Sequence, residues 1–228
     1  MEIALKQDLL KLTAPLLTDD DWPSIEALWR PYVDQGDLDS QAQLAYMCLW
    51  CFDETEEKDH EMRGLLRAAA DAGHADAMYW FASFSTQEGA ERDELLKRAA
   101  ELGSRGAQRH LGAMYATGDW TAGPKDLAKA VYWYRLAAER EHDDAQYNLG
   151  FMYILGQGVP PDAEKGLFWL HRSADGGNTS AMRLLTDLYR NGYYGIAADT
   201  GKANYWDERH SSTEESRHFY LHDLNGSL

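Results

Sequence analysis

The chain has 228 residues, of which 44% are hydrophobic and 12% aromatic, and a formal net charge of −16. That apolar content is enough to build a core and excludes global disorder, and no stretch of about 18 apolar residues exists to cross a membrane as a helix. The acidic surplus argues against sequence-independent nucleic-acid binding, which needs Lys and Arg to displace counterions, and equally against an anionic membrane surface.

The opening residues, MEIALKQDLLKL, have no basic start, long apolar run or cleavage pattern, so no secretory signal is expected. Residues 3–12 are expected to form a short capping helix. Asp19-Asp20-Asp21-Trp22-Pro23 reads as a loop and helix start, leading into a helix that runs to about Val33. Beyond it one phrase recurs, centred on Ser40, Ala77, Ala107, Ala145 and Ala181, at spacings of 37, 30, 38 and 36 residues. A period near 36 predicts stacked supersecondary units.

Each unit reads as two helices. Four residues after the anchor stand Leu44, Phe81, Leu111, Leu149 and Leu185; eight after it stand Cys48, Ser85, Tyr115, Tyr153 and Tyr189. Offsets 0, 4 and 8 share one helix face, and the small residue at offset 5 (Ala45, Ala82, Gly112, Gly150, Thr186) lets a neighbouring helix approach. This is the first helix of each pair. Twelve residues before the anchor, Leu28, Leu65, Leu95, Trp133 and Trp169 mark the second helix of the preceding unit. Four before it, Gly36, Gly73, Gly103 and Gly177 suit a left-handed helix end, whereas Glu141 breaks the series and predicts a less tightly specified turn. In the later units Asp126, Asp162 and Asp199 are expected to cap second helices, with Lys129, Lys165 and Lys202 three residues on and Trp133, Trp169 and Trp206 beyond them. After Trp206 the chain turns polar, and Ser211 to Leu221 is expected to be a terminal cap helix.

The pattern A-x-x-G-x-x-x-A-x-x-x-L-G-x-x-Y, followed by G-x-G-V-x-x-D-x-x-K-A/G-x-x-W, resembles the Sel-one-like repeat family, relatives of the tetratricopeptide repeat. Residues 137–171 match almost throughout, with Gly156, Gly158 and Val159 in the loop. The resemblance covers about residues 24–210 and weakens in the unit anchored on Ala77, which has no room for that loop. It implies an all-α fold, a right-handed α-α superhelix of about five helix pairs with first helices on the concave side. The chain is then one solenoid, with an N-terminal cap over 1–23, repeats over 24–210 and a C-terminal cap over 211–228.

Chemistry is sparse. Cys48-Leu49-Trp50-Cys51 sits late in a helix, without the strand–helix context of a redox motif or two further zinc ligands, and reads as two semi-buried thiols. His218 and His222 are four apart on a polar terminal segment, and His74, His110, His142 and His171 form no constellation. No phosphate loop or nucleophile–base motif occurs, so neither catalysis, a metal nor a cofactor is expected. With only two cysteines, and with residue 1 taken as the natural start, the cytoplasm is the expected compartment.

By resemblance to tetratricopeptide arrays, offsets of about 2, 6, 9 and 10 face the groove. They give Tyr46, Trp50, Tyr79, Ser83, Arg109, Tyr147, Phe151, Ile154, Arg183, Asp187 and Arg190. Tyr147-Phe151-Ile154 is expected to form an apolar stripe flanked by Arg109 and Arg183, of residue types that dominate interface energies, though such residues can also pack between units. The expected function is therefore a non-enzymatic scaffold, monomeric, that binds a protein or peptide in its groove. The acidic surface would steer a basic partner. The alternative is a bacterial immunity protein against a basic toxin; a hydrolase or small-molecule binder using the groove is a remote third.

Overall fold

The computed structural model describes residues 22–51, 56–84, 89–118 and 124–225, with the side chains of 22, 49–51, 56, 57 and 214–225 left aside. The N-terminal cap expected over 3–12, the Trp50 and Cys51 side chains, and those of His218 and His222 lie outside the described set. Among the described residues there are only helices: α1 (Trp22–Asp34), α2 (Leu38–Cys51), α3 (Glu56–Asp71), α4 (Ala75–Phe84), α5 (Ala90–Glu101), α6 (Arg105–Thr117), α7 (Leu127–Glu139), α8 (Asp143–Leu155), α9 (Ala163–Asp175), α10 (Thr179–Asn191) and α11 (Thr200–Asn225). None is long and apolar enough to cross a membrane. They fall into two compact units, Met1–Ala107 and Gln108–Leu228.

In the first unit, consecutive helices from α1 to α5 pack on one another. The anchors Ser40 and Ala77 are fully buried, as are Ala45 and Ala82 at the close-approach position. In the second unit, α6 to α11 build two clusters. One gathers Ala130, Tyr134, Ala138, Ala145, Leu149 and Met152; the other gathers Leu170, Ala181, Leu185, Leu188 and Trp206. Two helices cross almost backbone to backbone here. A Cβ on Gly150 of α8 would meet the Gly166 carbonyl oxygen at 2.9 Å, and one on Gly166 of α9 would meet the Ile154 side chain at 2.5 Å.

The loops inside the units of the second half close by one device. Asp126, Asp162 and Asp199 each donate their N–H to the carbonyl of Tyr115, Tyr153 or Tyr189, at 2.9, 2.9 and 2.8 Å. Each carboxylate then accepts from the backbone N–H of Lys129, Lys165 or Lys202 at 2.9–3.0 Å, the capping bond a helix start lacks. The three ammonium groups turn back to these carboxylates and lie 5.1–5.8 Å from the same three tyrosine rings. Hydrogen bonds from that lysine, through its backbone and its ammonium, hold all three carboxyls below the usual range.

Three of the repeats share a second device, placed three residues before the anchor. His74 accepts the Ala77 N–H on Nδ1 at 3.0 Å, so its proton is on Nε2, which donates to Asp39 of α2 at 2.8 Å. Ser104 accepts the Ala107 N–H at 3.4 Å and donates to Asp76 of α4 at 2.6 Å. Asn178 accepts the Ala181 N–H at 2.9 Å and donates to Asp144 of α8 at 2.9 Å. One side chain thus caps its own helix and fastens it to the first helix before.

Two expectations need correction. Glu141 does not loosen its turn. It adopts φ 62°, the left-handed conformation of Gly36, Gly73, Gly103 and Gly177, and its turn closes with the same pair of backbone bonds, Glu141 N–H to Ala138 and His142 N–H to Ala137. A side chain in that region costs roughly 1–2 kcal/mol, part of which glycine's own entropy offsets. Glu141→Gly is therefore expected to raise stability by about 0.5–1 kcal/mol in urea unfolding, since the exposed 3.4 Å pair with Arg172 that it removes is worth little; a loss of stability would contradict this account. Ser211 to Leu221, in turn, is no separate cap helix, because the backbone continues unbroken from Thr200 to Asn225.

Candidate functional site

The expected groove residues fare differently in the two units. In the first, Tyr46 stacks on Trp80 of α4 with centroids 4.4 Å apart and also meets the Phe84 ring at 6.2 Å. The Tyr79 ring covers Gly106 so closely that a Cβ there would sit 2.5 Å from it. The Tyr46 ring thus fastens α2 to α4. Among the described side chains of that group only Ser83 is exposed, and its hydroxyl donates back to the Tyr79 carbonyl.

In the second unit Tyr147 and Phe151 are half-buried on one face of α8, with near-parallel rings 6.3 Å apart. Ile154 does not extend this stripe. It is 3% exposed, drawn into the core where Gly166 lets α9 come against it. The stripe is two residues long. Arg183 and Asp187 stand exposed one turn apart on α10. Arg190, on the same face, turns to Asp207 of α11 at 3.0 Å. Arg109 is half-buried near Tyr134, whose hydroxyl burial pushes up to about 12 against the opposing charge of Arg109. The structure thus brings together the two rings, and the exposed Arg183–Asp187 pair, each on its own helix. The Tyr147 ring also packs on the cluster that includes Met182 and Leu185 of α10, and Asn178–Asp144 joins the starts of α8 and α10.

Sequence reasoning missed a second set of aromatics. Tyr132, Phe168 and Tyr205, on α7, α9 and α11, are 55%, 53% and 52% exposed. Each lies edge-on to the tryptophan that follows it, at 5.1, 5.0 and 4.9 Å. Their signal in the sequence is the aromatic doublets YW, FW and YW, in which the tryptophan alone belongs to the repeat pattern. Cys48 is buried, and among the described residues no cluster of His, Cys, Asp and Glu could hold a metal.

The Nε2 of His171 lies 2.9 Å from the Tyr189 hydroxyl, and its ring is 5.3 Å from Trp206. Burial lowers its pKa, with Asp175 opposing and Lys202 reinforcing. The folded protein therefore binds this proton less readily than the unfolded chain does. Stability is complete above the ordinary histidine value of about 6.5 and falls as pH drops below it. His171→Gln is expected to flatten the decline of unfolding free energy below about pH 6.5; an unchanged slope would remove His171 as its source.

The Sel1 repeat family model matches residues 94–104, 106–142, 143–178 and 179–206. Chitin synthase regulatory factor 3 of Schizosaccharomyces pombe is 32% identical over 117 residues, 50% of this chain, and the match spans 12% of that protein's length. A Sel1 repeat protein from Oxalobacter formigenes is 28% identical, with a TM-score of 0.72 over 84% of this chain and 80% of that one. An immunity protein of Pseudomonas aeruginosa is 20% identical, with a TM-score of 0.69 over 93% and 81% of the two chains, and shows the fold alone. The all-α superhelix of helix pairs expected from the sequence is the architecture of these neighbours.

Proposed function

Because the chain belongs to the Sel1-repeat family, a family of protein-interaction scaffolds, we propose that it is a non-enzymatic scaffold whose binding face is the first-helix surface of the second unit. The observation that carries this reading is the pair of stacked, half-exposed rings of Tyr147 and Phe151, together with exposed Arg183 and Asp187 on α10. Aromatic and guanidinium groups of this kind give the largest share of interface energy, and the rings lose little conformational entropy on binding. The partner is a protein or peptide segment with apolar side chains for the rings. The net charge of −16 favours a basic one, captured from a distance by the acidic field.

The double variant Tyr147→Ala with Phe151→Ala is expected to weaken binding of a partner isolated from source lysate by at least about 100-fold. Helical circular dichroism should stay at the level of the parent. Undiminished affinity would remove the site from this face. The association rate with a basic partner should fall steeply between low and high salt, which separates steering from contact at the rings. An immunity role is one form of this function: a cognate toxin with a basic surface would be the partner, and neutralisation on co-expression would be the readout.

A further inference from the structure

A cavity of about 300 Å³ opens in the first unit between α3, α4 and α5. It is lined by Ala70, Phe81 and Leu95 together with Arg67 and Arg98, and the Arg67 guanidinium lies 5.4 Å from the Phe81 ring. The reason it exists is visible by superposing the repeat on itself. Counted from the anchors, Ala70, Phe81, Leu95 and Arg98 occupy the positions of Ala138, Leu149, Trp169 and Arg172, and of Ala174, Leu185, Trp206 and Arg209. In those two repeats the tryptophan fills the place. Trp169 packs on the cluster that holds Ala138 and Leu149, with the Arg172 guanidinium 5.8 Å from its ring. Trp206 packs on the cluster that holds Ala174 and Leu185, with the Arg209 guanidinium 5.1 Å away. In the shortened repeat Leu95 stands where the indole would be, and even the larger Phe81 leaves the space open. The arginine is retained. Asp71, the counterpart of the Asp175 that pairs with Arg209, is 3.3 Å from Arg67 instead, and Arg98 makes no ion pair among the described residues.

We propose that this cavity receives one aromatic side chain, a tryptophan ring, from a partner segment that carries basic residues beside it. The ring would take the place that Trp169 and Trp206 fill in their own repeats, its edge on Ala70 and Leu95 and its face toward the Arg98 guanidinium. The volume lies at the lower end of ligand pockets, which suits one ring and not an extended small molecule. Three carboxylates line it with the two guanidiniums; Asp71 is paired with Arg67 and Glu94 with Lys97, so among the described residues Glu91 is the carboxylate left to meet a basic flank. The inference goes beyond the scaffold reading above by adding a second site, on a different unit, and it stands or falls by different residues.

The test is titration of the full chain, labelled with nitrogen-15, with the blocked tripeptide Lys-Trp-Lys. Saturable amide shifts are expected at Ala70, Phe81 and Leu95, with none for Lys-Ala-Lys and weaker binding for Glu-Trp-Glu. Leu95→Trp supplies the ring in cis, so it should abolish those shifts and raise Tm. Arg98→Ala should weaken binding about threefold to thirtyfold. Tyr147→Ala with Phe151→Ala should leave this titration unchanged, which keeps the two sites distinguishable. The proposal is overturned if Lys-Trp-Lys moves none of these amides, if Lys-Ala-Lys moves them equally, or if Leu95→Trp, folded by circular dichroism, binds as the parent does. Should Leu95→Trp lose helicity, Arg98→Ala decides alone, and parental affinity in it overturns the assignment.

Discussion

Gly158→Ala is expected to cost about 3 kcal/mol, lowering Tm by about 6–12 °C. Two causes add. Gly158 has φ 73°, where a side chain is strained by roughly 1–2 kcal/mol. A Cβ there would also lie 2.3 Å from the Leu127 carbonyl oxygen and 2.5 Å from its carbon, both backbone atoms at the start of α7. Backbone cannot swing aside as a side-chain tip can, so either the loop or the helix start must move. Gly177→Ala is the internal control: its φ is 99° but nothing lies within 4 Å of the added atom, so only the strain should appear. Thermal and urea unfolding of the pair would test the account, and equal losses would show that the contact with Leu127 adds nothing.

Trp206→Ala is expected to be more damaging still, at about 3–5 kcal/mol. The indole is 4% exposed and lies among Ala174, Leu185 and Leu188, with His171 on one side and the Arg209 guanidinium on another. Its loss leaves a cavity that the rigid α9–α10 pair cannot close and takes away the main contact that seats α11. Amide exchange should show protection falling along α10 and α11 first, with α6 and α7 less affected. Uniform loss across the second unit would mean that it unfolds as one block.

The repeat letters carried most of the fold. Ala77, Ala107, Ala145 and Ala181 are buried at 0% exposure, and the Asp126, Asp162 and Asp199 caps form as their spacing implies. Period gives the phase of a helix, and phase is enough to say which residues face a neighbour. It does not say how near the neighbour comes. That distance, set by Gly150 and Gly166 together, decides that Ile154 is core while Phe151 one turn earlier is not. Glu141 misled for a related reason. The surrounding pair of backbone bonds imposes the left-handed conformation whatever the residue, so composition alone could not reveal that the turn is kept. The cavity at Leu95 was hinted at by the short spacing after Ala77, but its shape depends on side chains from three helices.

The joints between successive first helices have one fixed half and one variable half. In three repeats the acceptor is an aspartate just before the anchor, and the donor is an imidazole at His74, a hydroxyl at Ser104 and an amide at Asn178; the repeat anchored on Ala145 has Gly106 and His142 at these positions, and His142 makes no side-chain cap bond to its own helix. In a nearest-neighbour description of a linear array, intrinsic stability of a repeat and its coupling to the previous one are separate quantities. In those three repeats one side chain contributes to both, so the two parameters rise and fall together and such a repeat brings its own coupling with it. A joint with a constant socket and an interchangeable plug lets repeats be duplicated, lost or exchanged without rewriting the neighbour.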